Sequence, residues 1–242
     1  IALRGRYYLY NKEYAKAITD LEPLLTKYNL IGSALYVGSW AANESQESIF
    51  EMAYTDTDYH GTTSYTYMWE KDGYKDVFGT VDLMTKYAND DVRFPFTGLY
   101  SGTKTKGLVK FPFNVKSHNI RIIHFGEVIM NYVEACVESG TNLGKALTEI
   151  NKLVAARHTG AVTPWVAADL TRAKVLAERR LELATEGHRY FDLCRTGTTI
   201  NHYGTNGSVF ETIPVPSDRL AFPIPEAEMD ANPNIKNQNP GY

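Results

Sequence analysis

The 242-residue sequence predicts a mainly α protein in which helical pairs support long irregular loops and an extended C-terminal strap. Three observations predict it. Apolar residues recur at three- and four-residue spacing over 3–28, 119–158 and 169–194, as helices buried on one side require. Residues 40–118 lose that period and are crowded with aromatic, Gly, Thr, Ser and Asp residues. Residues 201–242 are rich in Pro, Asn and Gly, which favours a loop-like strap laid over helices.

The first pair, 3–28, contains the run Leu9-Tyr10-Asn11-Lys12-Glu13-Tyr14-Ala15-Lys16-Ala17-Ile18, which matches a tetratricopeptide repeat. Its tight turn falls at Asn11-Lys12, and Ala17 is the small residue that lets two helix axes approach. In the second pair, one helix is expected from about Ile120 to Ser139 with Gly140 as its stop. The other is expected from about Leu143 to His158, ended by Gly160. The third unit is expected over 169–194, opening at Asp169 as N-cap. There Leu176, Arg180, Leu183, Gly187, Tyr190 and Cys194 follow 4-3-4-3-4 spacing, and Ala177, Leu181, Ala184, His188 and Phe191 repeat it one place on. That pattern predicts a wide buried stripe. Between these units, residues 86–93 hint at a short helix, while Phe94-Pro95-Phe96 and Phe111-Pro112-Phe113 read as extended. The expected organisation is one domain, 1–242: tetratricopeptide-like helices over 1–39, a loop-rich aromatic insert over 40–118, further such helices over 119–200, and an extended tail over 201–242.

Charged residues make up 22% and hydrophobic residues 43%, an ordinary globular balance. A formal net charge of -3 gives no basic footprint for nucleic acid. No apolar run approaches the roughly 18 residues of a membrane helix. Cys136 and Cys194 lie far apart inside helical patterns and read as buried free thiols. The opening IALRGRYYLY already reads as helix, so any export signal is expected upstream.

The residues that could carry chemistry fall in two places. Glu178, Arg179, Glu182, Glu186, Arg189 and Asp192 stand at helical spacings and can pair along the helix and into the loop after Gly187. Acid–base catalysis would need two carboxylates facing a cleft with shifted pKa values. An ion-pair network that pins the loop needs only the spacing, and that structural role is the expectation. His124 and Glu127 share a helical face without a third ligand nearby, and no histidine shows metal-ligand spacing. No nucleophile motif and no phosphate-cradling glycine loop appears, so no catalytic residue, metal or cofactor is expected.

The other place is the aromatic insert. The sequence has 17 Tyr, 10 Phe and 3 Trp, and Tyr54, Tyr59, Tyr65, Tyr67, Trp69 and Tyr74 are close together in it. If 65–69 is extended, Tyr65, Tyr67 and Trp69 share one face at about 6.6 Å steps. Flat rings at that spacing can stack on successive sugar rings while polar neighbours bind hydroxyls. Trp69, Tyr65, Tyr67 and Tyr74 are therefore candidate stacking platforms. Asp72 and Lys75 are candidate hydroxyl-binding residues, with Arg93 a weaker one, expected instead to pair with Asp90.

The chain resembles the SusD/RagB family of outer-membrane lipoproteins from glycan-using bacteria. Residues 44–54 (ESQESIFEMAY) are similar to the family's E-S-I-F-E segment. Residues 121–140 (RIIHFGEVIMNYVEACVESG) and 146–157 (ALTEINKLVAAR) resemble its two successive central helices. Residues 178–197 (ERRLELATEGHRYFDLCRTG) and 223–242 (PIPEAEMDANPNIKNQNPGY) resemble its two most specific signatures, in the same order and spacing. Thr185 departs from the family's frequent Phe, and Cys194-Arg195-Thr196 stands where Arg-Trp often follows. The resemblance implies tetratricopeptide units supporting long loops, a lipid anchor upstream of this chain on the cell surface, and a lid over a SusC-like TonB-dependent transporter. It implies capture of oligosaccharide, or sometimes peptide, for import without catalysis. It further implies that the signature residues hold the fold, that ligand contacts come from aromatic loops, and that this chain corresponds to the C-terminal part of longer members. A protein-interaction scaffold built on the helical repeats is the alternative, and a glycoside hydrolase a third reading.

Overall fold

The structure, a computed structural model, describes residues 1–55, 57–58, 79–93, 110, 119–204 and 207–242. The chain divides into two compact units, Ile1–Glu186 and Gly187–Tyr242.

The first unit is built around a helical core. Helices α1 (Ala2–Tyr10) and α2 (Tyr14–Leu21) form the predicted pair, joined by a turn in which Lys12 takes φ 62°. Ala17 is fully buried, as a close helix crossing needs. A 3-10 turn, Glu22–Thr26, follows, then α3 (Ser33–Ser39), β1 (Ser48–Met52) and the single helical turn α4 (Val81–Met84). The helix hinted at over 86–93 thus forms earlier, where the Thr80 side chain accepts from the Leu83 amide and caps it.

Next come β2 (Ile120–His124), α5 (Phe125–Ser139), α6 (Leu143–Ala156) and α7 (Arg172–Glu182). The expected helix from Ile120 is corrected here, because Ile120–His124 is a strand paired antiparallel with β1. Three β-branched isoleucines within five residues suit a pleated pair better than a helical turn. Gly140 stops α5 as predicted: at φ 70° it takes the left-handed position, and the Thr141 amide reaches back to the Cys136 carbonyl at 3.1 Å.

Helix α5 packs against α1, α2, α6 and α7, and is buried continuously from Phe125 to Cys136. A helix enclosed on all sides must neutralise its own polar residues. Glu127 receives a two-pronged fork from Arg6, both bonds 2.6 Å, and Arg6 also donates to the Ile122 carbonyl at 2.9 Å. Asn131 then links Glu127 at 3.0 Å to the buried Arg179 at 2.6 Å. Cys136 is a buried free thiol, and burial pushes its pKa up to about 11. Cys194 is free but only half-buried. No helix among the described residues is long and apolar enough to cross a membrane.

The expected continuous helix over 169–194 is broken. Thr171, not Asp169, caps α7 by accepting from the Lys174 amide, while Asp169 accepts from the Val166 amide inside a 3-10 turn. The helix ends at Glu182, and Thr185 at φ 70° and Gly187 at φ 80° then interrupt the backbone ladder. The buried face is also shifted. It carries Val175, Arg179 and Glu182, whereas Leu176 and Arg180 are half-buried and Ala177 is exposed.

The second unit contains α8 (Arg189–Thr196), the hairpin β3 (Ile200–Tyr203) and β4 (Val209–Ile213), a 3-10 turn Asp218–Leu220, and α9 (Glu226–Ala231). The tail therefore holds regular structure that its composition hides. Leu193, Ile200 and Ile213 form its small core. Tyr190 stacks on Phe222 at 6.1 Å and donates to the Leu220 carbonyl. The closing segment is stapled back by its amides: Gln238 accepts from the Ile224 amide at 2.7 Å and donates to the Ile224 carbonyl at 2.9 Å. Asn239 donates to the Phe222 carbonyl at 2.7 Å. These bonds give Gln238 and Asn239 a structural role in closing the segment.

Candidate functional site: a charged node at the root of the aromatic insert

The candidate ligand residues Trp69, Tyr65, Tyr67, Tyr74, Asp72 and Lys75 lie outside the described residues. The structure does describe where the insert joins the fold, and a buried network of charges stands there.

Its centre is Arg157, just past the end of α6, with its side chain fully buried. Its Nη1 and Nη2 donate to Glu47 at 2.9 and 2.8 Å. Its Nε and Nη2 donate to Glu182 at 3.1 and 2.8 Å, and Nη1 also reaches the Ile31 carbonyl at 3.2 Å. The guanidinium plane lies 4.2 Å over the ring of Tyr36. Arg93 approaches Glu182 at 3.1 Å and also binds Asp91 at 2.7 Å and Glu178 at 2.8 Å. Asp91, not Asp90, is thus its neighbour in the pair. The Val92 amide donates to the Arg157 carbonyl at 2.9 Å, which ties the 79–93 segment to the end of α6.

Lys110 donates to Glu186 at 2.6 Å and lies 4.2 Å over the Trp40 ring, with Arg121 4.3 Å from the same ring. His124, at the end of β2, is within 3.1 Å of Glu186 and 3.7 Å of Glu47.

These charges hold one another in the ionised state. Burial alone would raise the Glu47 pKa, but Arg157 and His124 outweigh it and hold the group at about 2. Burial alone would lower that of His124, but Glu186 and Glu47 carry it up to about 9, so the imidazole is protonated at neutral pH. Glu182 is likewise held low against its burial, chiefly by Arg157. Glu47, His124 and Glu182 offer ligand atoms within 4.8 Å of one another, a spacing that could hold a metal ion. The chemistry of the set argues against one. A protonated imidazole is no ligand, and guanidiniums already bind the faces of both carboxylates.

The expected pairing along the helix is therefore corrected: Glu178, Glu182 and Glu186 reach across to Arg93, Arg157, Lys110 and His124. Asp192 pairs with Arg195 inside α8. Glu127 is occupied by Arg6, so it forms no site with His124. Sequence reasoning passed over Glu47, Arg157, Lys110 and Trp40 as node residues. A signal existed for some of them, because Glu47, His124, Arg157 and Glu182 each belong to a different one of the segments that carry the family spelling.

Two consequences can be measured. A Cβ on Gly126 would lie 2.1 Å from Glu182 Oε1, so Gly126→Ala must push that carboxylate off Arg157. A loss of about 2 kcal/mol is expected, read from chemical denaturation midpoints at constant slope. The pH dependence is also set. Glu47 falls from 4.5 to about 2, so its contribution is present above 4.5 and is lost as pH falls through that interval toward 2. His124 rises from 6.5 to about 9, so its contribution is complete below 6.5 and is lost as pH rises through 9. Urea unfolding should therefore show greatest stability between these two limbs. His124→Gln should flatten the alkaline limb, and an unchanged limb would remove His124 as its source.

Comparison with known proteins places these features. The model of the SusD family matches residues 113–242. SusD-like protein P2 of Formosa agariphila is 26% identical over 133 residues, covering 52% of this chain and 26% of that relative. A SusD superfamily protein from Bacteroides vulgatus is 30% identical with a TM-score of 0.84, covering 100% of this chain and 58% of that one. A proposed sugar-binding protein from the same species is 31% identical with a TM-score of 0.82, covering 100% and 58%. The chain thus spans less than two thirds of the length of these relatives.

Proposed function

We infer the function from one premise: this chain belongs to the SusD family. The reading it supports is capture of oligosaccharide at the bacterial cell surface, for import through a SusC-like TonB-dependent transporter, by a lipid-anchored protein that performs no catalysis. One observation carries the non-catalytic part. The carboxylates of segment 178–197 are committed to buried cations: Glu182 to Arg157 and Arg93, Glu186 to Lys110 and His124. A general acid must keep a proton near neutral pH and face its substrate; Glu182 is fully buried and held ionised. Binding is then left to the aromatic insert, where Trp69, Tyr65, Tyr67 and Tyr74 supply stacking faces and Asp72 and Lys75 supply polar contacts. The 31% identical relative described as sugar-binding supports the ligand class.

The test is a panel of polysaccharides in native affinity gels, run beside a reducing-sugar assay. Retardation on at least one glycan without sugar release is the expected result. Sugar release that scales with enzyme-grade purity would replace this reading with a hydrolase. Retention on none, with capture of peptide instead, would favour a peptide-binding member of the same uptake systems.

A further inference from the structure

The hairpin of the second unit departs from a regular ladder at one place. His202 pairs with Glu211 and Tyr203 with Val209, so Phe210 is an extra residue on β4, a β-bulge. Neighbours on a regular strand point to opposite faces. Here the bulge brings the Phe210 ring to 5.9 Å from the ring of His202, the cross-strand partner of Glu211. Phe210 is 68% exposed. An exposed phenyl ring alone is ordinary, but this one is turned onto a fixed polar edge. The Glu211 carboxylate accepts from Arg219 Nη1 at 2.6 Å and from His202 Nδ1 at 2.8 Å, and these two partners hold its pKa below the ordinary value. Arg219 is itself held. Gly241, at φ 95°, brings the chain so close that a Cβ there would lie 3.1 Å from Arg219 Cγ, and the Tyr242 hydroxyl donates to the Arg219 carbonyl at 3.5 Å. With Nδ1 donating to the carboxylate, His202 keeps Nε2 for a further partner, and Arg219 keeps guanidinium N–H groups that Glu211 does not use.

A phenyl face bordered by such groups suits a ligand with one apolar face and a polar rim. A pyranose ring has both: its C–H bonds lie on the aromatic face while its hydroxyls meet the planar polar groups beside it. An apolar protein surface would instead strip water from three polar side chains without returning their hydrogen bonds. The Glu211 and Arg219 charges cancel, which favours a neutral sugar over an acidic one. We propose that Phe210, with His202 and Arg219 at its edge, is a second glycan contact, formed wholly within the second unit and seating one neutral pyranose ring. This rests on the reading that the protein binds glycan, and needs nothing of the aromatic insert.

The test is native affinity electrophoresis in gels cast with amylopectin, xyloglucan, arabinoxylan or galactomannan, with melting curves on the same samples. On a gel that retards the parent, Phe210→Ala should weaken affinity about fivefold at an unchanged melting temperature. Phe210→Tyr keeps the flat ring and should stay within about twofold of the parent, whereas Phe210→Leu keeps only apolar bulk and should lose as much as Phe210→Ala. That pair carries the test if Phe210→Ala does not fold. Phe210→Ala should also remove the retardation that remains in Trp69→Ala. Parent-like affinity of Phe210→Leu, or of Phe210→Ala in both backgrounds, overturns the second contact and leaves the insert reading standing. Weakening by Phe210→Ala beside a parent-like Trp69→Ala upholds the second contact and sinks the insert as the binding site. Retardation of the parent on none of the four gels overturns the proposed neutral-sugar contact, while the wider glycan panel still decides the function.

Discussion

Replacing Arg157 by Met will lower the thermal unfolding midpoint by about 10 °C, the largest stability loss expected of any single substitution in the first unit. The side chain neutralises Glu47 and Glu182 together, and all three are almost wholly inaccessible to water. Taking out one partner of a buried pair costs roughly 3–5 kcal/mol, because the remaining charge has neither water nor counter-ion. In a chain of this size each kcal/mol shifts the midpoint by about 2–4 °C. Arg157→Met takes the main counter-ion from two buried carboxylates at once and leaves Glu182 only Arg93 and Glu47 only His124, so its cost stays within that range. Adding Glu47→Gln and Glu182→Gln to it should recover part of the loss, since the under-compensated charges are then gone. Circular dichroism melts of the single and triple variants check both statements, and a single-variant shift under about 2 °C would mean that the node carries little of the fold's stability.

How much of this was legible beforehand depended on whether the signal was local. The turn at Asn11-Lys12, the buried Ala17 and the Gly140 stop are written in adjacent residues, and the structure has them as expected. Ile120–His124 was misread because its partner, Ser48–Met52, lies far away in sequence and apolar period does not report pairing. The face of α7 was misread for a related reason. Arg179 and Glu182 look like a solvated rim, and only their distant partners, Asn131 on α5 and Arg157 after α6, make them interior. Asp90 is the expected partner of Arg93, but the structure presents Asp91, whose carboxylate also accepts from the Arg93 amide. The family spelling of segments 44–54, 121–140, 146–157 and 178–197 was readable, and the node gives it a physical cause: each contributes a charge to one buried network. Composition and strand spacing alone single out the stacking residues, which lie outside the described residues.

Trp69→Ala should weaken glycan binding by about 2 kcal/mol, roughly thirtyfold, as loss of a large stacking face does. Trp69 is the largest ring of the run Tyr65, Tyr67, Trp69 and Tyr74, so its removal should exceed that of any one tyrosine. The charged node contains none of these residues, so stability and binding should separate. Arg157→Met lowers the melting temperature, whereas Trp69→Ala leaves the helical circular dichroism intact.

The most direct measurement is native affinity electrophoresis of the parent chain and Trp69→Ala on a polysaccharide that retards the parent, with melting curves taken on the same samples. Loss of most of the retardation at an unchanged melting temperature is the predicted result. Equal retardation of both proteins on every retained glycan would contradict it and move the binding site away from the aromatic insert.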